Sequence, residues 1–168
     1  MEIMTALSLA VTLYQIANGE ITKYKQLKKD NADRISALHK EVRDNLDIVE
    51  HLLKMDTGFQ AVYDRVVRKL IGDLSFKELE TMSKEFEPIL GKPLKKVFKK
   101  SPSAKDPVRI FWNIKDTATK LKALKQRMKL IPSKKVNNAP KIFLSQRLPA
   151  LKWRLSDIEI MLKKVSVK

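Results

Sequence analysis

The 168-residue sequence predicts an all-α, single-domain helical bundle, and three observations lead to this fold class. Apolar residues recur at three- and four-residue intervals along most of the chain, which is the period of amphipathic helices. Four glycines and seven prolines are few for the many tight turns of an all-β protein. Hydrophobic residues form 43% of the chain, which is enough for a packed core. We expect one bundle over residues 1–168, with a four-helix core and one or two extra helices.

The first predicted helix contains the longest uncharged stretch of the chain, residues 3–19. Its polar side chains follow helical spacing and leave every other side apolar; they are Thr5, Ser8, Thr12 and Gln15. The stretch reaches the lower limit of about 17 residues for a membrane span, but a central bundle helix would have the same composition. Both alternatives stay open. If the segment enters a membrane, the residues expected to insert are Ile3, Leu7, Leu9, Ala10, Leu13 and Ile16.

Three more helices are predicted before residue 91. Asp30 or Asn31 can cap the first of these, whose apolar face comprises Ile35, Leu38, Val42, Leu46, Val49 and Leu53. The second runs from about residue 59 to 71 and is expected to point Phe59, Val62, Val66 and Leu70 inward. Ser75 and Glu78 form a capping box that starts the third, which we expect to end near Pro88.

Two longer helices are predicted to close the chain. The first covers residues 108–131, and its apolar stripe comprises Phe111, Ile114, Ala118, Leu121, Leu124, Met128 and Ile131. One row of lysines and a shorter basic row flank this stripe on opposite sides; the rows are Lys115, Lys122 and Lys129, and Lys120 and Arg127. The last helix has apolar residues in an a/d pattern from Leu148 to Val165. Because Pro149 suits a first turn, we expect this helix to begin near Leu148.

Charge divides the chain into two parts. Residues 1–91 carry 13 Lys and Arg against 15 Asp and Glu, whereas residues 92–168 carry 22 against 4. The net charge of +16 therefore lies in the rear part and indicates a polyanionic partner, either anionic membrane lipids or nucleic acid. The candidate anion-binding residues are Lys95, Lys96, Lys99, Lys100, Lys115, Lys122, Lys125, Arg127, Lys129, Lys134 and Lys135.

Residues suited to catalysis or metal binding are scarce. The chain has no cysteine, which excludes disulfides, thiolate nucleophiles and cysteine-ligated zinc or iron–sulfur sites. Its two histidines, His39 and His51, are twelve residues apart, and the four glycines are too scattered for a phosphate-binding loop. We expect no enzymatic activity, no metal site and no cofactor.

Lysine dominates the basic part, with 18 lysines against four arginines. Lysine acts as a compact point charge, so this surface suits non-specific attraction to a polyanion. Trp112 and Trp153 could stack on nucleic-acid bases, but an uncharged first helix serves a membrane binder better. We therefore favour membrane binding; the alternatives are a basic helical nucleic-acid-binding protein and a non-catalytic adaptor that binds a protein partner.

The N-terminal sequence Met-Glu-Ile-Met-Thr-Ala-Leu-Ser-Leu-Ala, followed by Lys23-Tyr-Lys-Gln-Leu-Lys-Lys29 and a long amphipathic helix, resembles the start of fungal HeLo and HeLo-like domains over about residues 1–55. Those domains are similar in architecture to the bundle of the mixed-lineage kinase-like necroptosis pseudokinase and to the coiled-coil domain of plant resistance proteins. The resemblance implies a cytoplasmic cell-death or immune-signalling bundle. Once activated, it would move to the membrane, form homo-oligomers, bind anionic lipids and permeabilise the bilayer through residues 3–17.

The 168 residues include no kinase, nucleotide-binding or amyloid-forming module. The resemblance therefore leads us to expect activation by an upstream receptor or by an attached module. The basic charge of residues 92–168 is also heavier than the resemblance requires.

Overall fold

The structure, a computed structural model, describes residues 32–55, 60–85, 109–131 and 139–166. Within these ranges it has four complete helices and no strand, so the predicted all-α bundle is confirmed. The helices are α1 (Ala32–Lys54), α2 (Gln60–Asp73), α3 (Arg109–Leu130) and α4 (Ala139–Ser166). Residues 77–85 are also helical and are called segment 77–85 below. The predicted helix over residues 3–19 lies outside the described residues, as does the predicted end near Pro88.

Helix α4 packs against both α1 and α3, whereas α2 contacts α3 and α1. Two ion pairs show how α1 runs relative to α4: Glu50 lies 3.2 Å from Lys152, and Arg43 lies 3.9 Å from Glu159. Residue numbers rise along one helix as they fall along the other, so α1 and α4 are antiparallel. Both pairs join the near-neutral part of the chain to the basic part.

Helices α3 and α4 are also antiparallel. Asn113 donates a hydrogen bond to Asp157, and Asp116 forms an ion pair with Arg154. The predicted apolar stripe of α3 is confirmed, because its residues from Phe111 to Met128 are buried and Ile131 packs against the core.

The predicted apolar face of α1 is confirmed from Ile35 to Val49 but is wrong at Leu53. Leu53 is 39% exposed, whereas its neighbour Leu52 is 5% exposed and belongs to the core. The two side chains lie about 100° apart in the last turn of α1. Packing at this end of the bundle covers the side that carries Leu52.

The predicted inward face of α2 is shifted by one residue. Val67 and Ile71 are buried, whereas Val66 and Leu70 are only partly buried. The side chains of Phe59 and Val62 lie outside the described residues. Both rows are apolar and have the same four-residue spacing, so periodicity alone could not decide between them.

The last helix starts at Ala139, nine residues before the predicted start at Leu148, and it contains Pro149 in its interior. Proline inside a helix removes one hydrogen bond and crowds the preceding turn. Leu144 and Leu148, which lie on the N-terminal side of Pro149, are both buried, and their packing offsets that cost. The a/d pattern itself is confirmed, since the described members Leu148, Leu151, Leu155, Ile158 and Leu162 are all buried.

The predicted capping box at Ser75 is replaced by two buried polar residues of α1. The side-chain oxygen of Asn45 accepts the Ser75 N–H at 2.9 Å, and the Glu41 carboxylate accepts the Leu79 N–H at 2.8 Å. The Ser75 hydroxyl also donates to Glu41, at 2.5 Å. A carboxylate at the start of segment 77–85 satisfies amides that lack a helical partner. Glu78 does not perform the capping role that the sequence suggested.

Candidate anion-binding surface

The described part of the chain contains five of the predicted anion-binding residues, all on α3: Lys115, Lys122, Lys125, Arg127 and Lys129. The other six lie outside the described residues; they are Lys95, Lys96, Lys99, Lys100, Lys134 and Lys135. The predicted membrane-insertion residues Ile3, Leu7, Leu9, Ala10, Leu13 and Ile16 also lie outside them. The candidate surface is therefore built from α3.

The solvent-facing side of α3 has a neutral centre and basic edges. At about 100° per residue, Thr119, Ala123, Gln126 and Leu130 fall within one narrow arc, and all four are exposed. The row Lys115, Lys122 and Lys129 borders this arc on one side, and Lys120 and Arg127 border it on the other. We call this set of nine residues the α3 outer face. Leu130 is 80% exposed and lies next to Lys129 at the end of the helix.

The acidic residues near this surface are engaged within the bundle. Asp116, the only acid of α3, pairs with Arg154 and lies 3.6 Å from Lys120. In segment 77–85, Glu80 lies 3.4 Å from Lys122. No exposed position of α3 carries a carboxylate among the residues that the structure describes, so the α3 outer face remains cationic.

Lys125 serves the fold rather than the α3 outer face. Its ammonium donates to the carbonyl oxygens of Gly72 at 2.7 Å and Leu74 at 2.5 Å, and it lies 5.9 Å from the centre of the Phe76 ring. Those carbonyls belong to the C-terminal end of α2, where a cation is favourable. Lys125 thus caps a neighbouring helix.

Arg68 of α2 makes the reciprocal contact at the end of α3. Its guanidinium donates to the carbonyl oxygens of Met128 at 2.6 Å and Ile131 at 2.8 Å, while its Nε binds Asp64 at 2.8 Å. Each of the two helices therefore supplies the cation that caps the other. This double cap holds the basic end of α3 in place.

Lys122 lies at the edge of the α3 outer face but also contacts segment 77–85. Its ammonium is 3.4 Å from Glu80 and 6.0 Å from the centre of the Phe76 ring. The hydrogen bond from Lys122 lowers the pKa of Glu80 below its usual value, and the charge of Lys84 adds to this effect. Both side chains are partly exposed, so the pair contributes little to stability.

The two tryptophans considered as stacking residues for nucleic-acid bases differ in exposure. Trp112 is only 9% exposed, whereas Trp153 is 48% exposed. The guanidinium of Arg154 lies 5.0 Å from the Trp112 ring centre and 5.8 Å from that of Trp153. Arg154 therefore occupies one face of each ring and binds Asp116 as well. The sequence analysis did not single out Arg154. Its one distinguishing feature in the sequence is that it is an arginine in a lysine-rich part of the chain, and arginine stacks on aromatic rings more readily than lysine.

His39 is partly buried near Arg43 on α1 and near Glu159 and Lys163 on α4. Its Nε2 atom is buried and has no hydrogen-bond partner among the described residues. Burial lowers the pKa of His39; Glu159 opposes this shift, and Arg43 and Lys163 add to it. His39 therefore favours its neutral form in the fold.

The described residues contain no group of three or more histidine, aspartate or glutamate side chains placed to hold a metal ion. None of their helices is both long and apolar enough to cross a bilayer.

Comparison with known protein families, with curated proteins and with solved structures finds no match to this chain. The α3 outer face and the segregation of charge are therefore the basis for a functional proposal.

Proposed function

We propose that this protein binds anionic membrane surfaces peripherally through the α3 outer face. The observation that supports the proposal is the arrangement of that face: a neutral centre ending in the exposed Leu130, with cationic rows on both edges and no exposed acid. Helices that lie on membranes place apolar or neutral side chains toward the acyl boundary and lysines toward the headgroups. Each such lysine near an anionic leaflet contributes about 1 kcal/mol.

Two further predicted anion-binding residues follow α3 directly in the sequence. Lys134 and Lys135 follow the exposed end of α3 within five residues of Leu130. In keeping with the resemblance to HeLo-like domains, we further propose that the protein moves from the cytoplasm to the membrane when activated, forms homo-oligomers there and acts in cell death or immune signalling. Insertion of residues 3–17 would then permeabilise the bilayer.

Vesicle co-sedimentation tests the binding proposal. We expect the protein to sediment with vesicles that contain phosphatidylserine and not with pure phosphatidylcholine, and binding should weaken as salt rises. Lys129→Gln should weaken binding about fivefold, the equivalent of about 1 kcal/mol. Lys40→Gln removes the same charge from α1, where Lys40 pairs with Asp44, and should have a smaller effect.

Nucleic acid is the competing polyanion, and the same experiment separates the two. An oligonucleotide shift is measured at matched salt with the native protein and with Lys129→Gln. Salt-dependent oligonucleotide binding without any vesicle binding would overturn the membrane proposal and favour the nucleic-acid alternative. If neither ligand binds, the adaptor alternative is left.

A further inference from the structure

The outward side of α4 carries two exposed large apolar side chains, Trp153 and Ile160. Pro149, Trp153, Ser156 and Ile160 fall within an arc of about 60° on the side of α4 that faces away from the core. Trp153 is 48% exposed and Ile160 is 54% exposed. These four residues, called the α4 stripe, extend over about 16 Å. The exposed Pro149, Trp153 and Ile160 share this side of α4 with the half-buried, polar Ser156, and exposed apolar side chains grouped in this way mark a docking site.

The sequence provides an occupant of matching length and chemistry. Residues 3–17 contain no charged side chain, and the sequence predicts a helix there that is apolar on every side except the row Thr5, Ser8, Thr12 and Gln15. Fifteen residues of helix extend over about 21 Å, which is sufficient to cover the α4 stripe. The polar row would remain toward solvent.

The course of the chain brings this segment to the correct end of α4. The ion pairs place Arg43 beside Glu159 and Glu50 beside Lys152, so Ala32, at the start of α1, lies at the C-terminal end of α4. Ile160 is within two turns of that end. Residues 18–31 provide enough chain to reverse direction and lead back along the α4 stripe.

Charge favours residues 3–17 over a second copy of the protein as the occupant. In solution, where no anionic lipid offsets the charge, a second copy would bring another net charge of +16 to a helix that already carries Lys152 and Lys163 beside the α4 stripe. The segment brings no charge. We therefore propose that residues 3–17 pack their apolar side on the α4 stripe when no membrane is present. This docking goes beyond lipid binding and is tested without lipid, so either proposal can fail without the other.

Tryptophan fluorescence gives the first test. The chain has two tryptophans, and Trp112→Phe leaves Trp153 as the only reporter. In this background we expect Leu13→Glu to increase acrylamide quenching of Trp153 severalfold, because a charge on the apolar side prevents docking. Thr12→Glu introduces the same charge on the polar row and should leave the quenching unchanged. Equal quenching in native, Leu13→Glu and Thr12→Glu proteins would overturn the proposal.

Hydrogen exchange gives the second test and works from the other side of the contact. Ile160→Glu should accelerate amide exchange in residues 3–17 by about tenfold or more. Gln126→Glu, an equal charge change at an exposed position of α3, should not. Amides of α1 in the same samples show whether the bundle stays folded, as we expect for an exposed substitution. If residues 3–17 exchange rapidly in the native protein, or equally in both variants, docking on α4 is refuted.

Discussion

Single residues hold this bundle together through contacts between charged side chains and helix ends. Lys125 and Arg68 bind main-chain carbonyls at the ends of neighbouring helices, and Glu41 binds an amide at the start of segment 77–85. Hydrogen bonds to charged groups contribute more than neutral ones, at about 1.5–3 kcal/mol each. Part of the chain's charge is therefore used for folding.

Glu41 and Glu78 are the two carboxylates that could cap the start of segment 77–85, and substituting each of them distinguishes the two. Glu41→Ala should lower the free energy of unfolding by about 2–3 kcal/mol, because it leaves the Leu79 N–H and the Ser75 hydroxyl without their acceptor. Glu78→Ala, which removes the acid of the predicted capping box, should change it by less than about 0.5 kcal/mol. Urea denaturation followed by circular dichroism measures both. An equal loss in the two variants would contradict the assignment of Glu41 as the cap.

His39 predicts a pH dependence whose sign follows from its lowered pKa. The unfolded chain binds a proton as the pH falls below about 6.5, while the folded protein resists protonation of His39, so the free energy of unfolding should decrease in that range. His39→Gln should remove this component. His51→Gln, at an exposed position of the same helix, should retain it. The free energy of unfolding is measured at pH 7 and at about pH 5.5 for both proteins. If it falls by the same amount in the native protein and in His39→Gln, this role of His39 is refuted.

At the scale of the helix, Pro149 shows how packing overrides a local signal. Proline is favourable in a first turn and unfavourable within a helix. The buried residues Leu144 and Leu148 keep the chain helical before Pro149. The position of Pro149 therefore could not predict where α4 begins.

This arrangement makes Pro149→Ala informative. At an interior position the change restores a helical N–H and relieves the crowded turn, so thermal denaturation should show a stabilisation of about 1–3 kcal/mol. If α4 instead began near Leu148, Pro149 would be a first-turn residue. The same change would then be neutral or slightly destabilising, and that result would contradict the observed start.

At the scale of the whole molecule, the two parts of the chain are joined by charge as well as by the core. Ion pairs such as Glu50 with Lys152 and Glu80 with Lys122 connect acids of the near-neutral part to lysines of the basic part. These contacts offset some of the self-repulsion that a net charge of +16 produces. On the α3 outer face, by contrast, cations such as Arg127 and Lys129 are exposed at the surface of the bundle.

The membrane proposal predicts vesicle leakage at this scale. Dye-loaded vesicles containing anionic lipid should leak when the protein is added, and Leu7→Glu should abolish leakage because a charge in residues 3–17 opposes insertion. Ser8→Glu on the polar row should be tolerated better. The variant Leu7→Glu should still sediment with the vesicles, since the α3 outer face is intact. Leakage that Leu7→Glu leaves unchanged would exclude residues 3–17 as the inserting element.

Periodicity and composition predicted the features of the fold that depend only on residues close together in the sequence. The all-α class and the core stripe of α3 follow from spacing alone, because a helical period places residues such as Ile114 and Leu121 on one side whatever packs against them. The cationic character of the rear part is a property of composition. For α2, spacing permitted two faces, and only the packed neighbours selected Val67 over Val66.

For the candidate anion-binding surface, too, sequence spacing predicted one part and the folded structure decided the other. Helical spacing predicts that the basic rows flank the apolar stripe of α3, but spacing alone makes Lys125 and Lys129 equivalent. Tertiary structure separated them, because the carbonyls of Gly72 and Leu74, more than fifty positions away in the chain, lie over Lys125 while Lys129 stays exposed. Helix capping across a bundle joins residues that are distant in sequence, so no local pattern encodes it. Spacing shows which residues share a side of a helix, and only the folded neighbours decide which of them reach solvent.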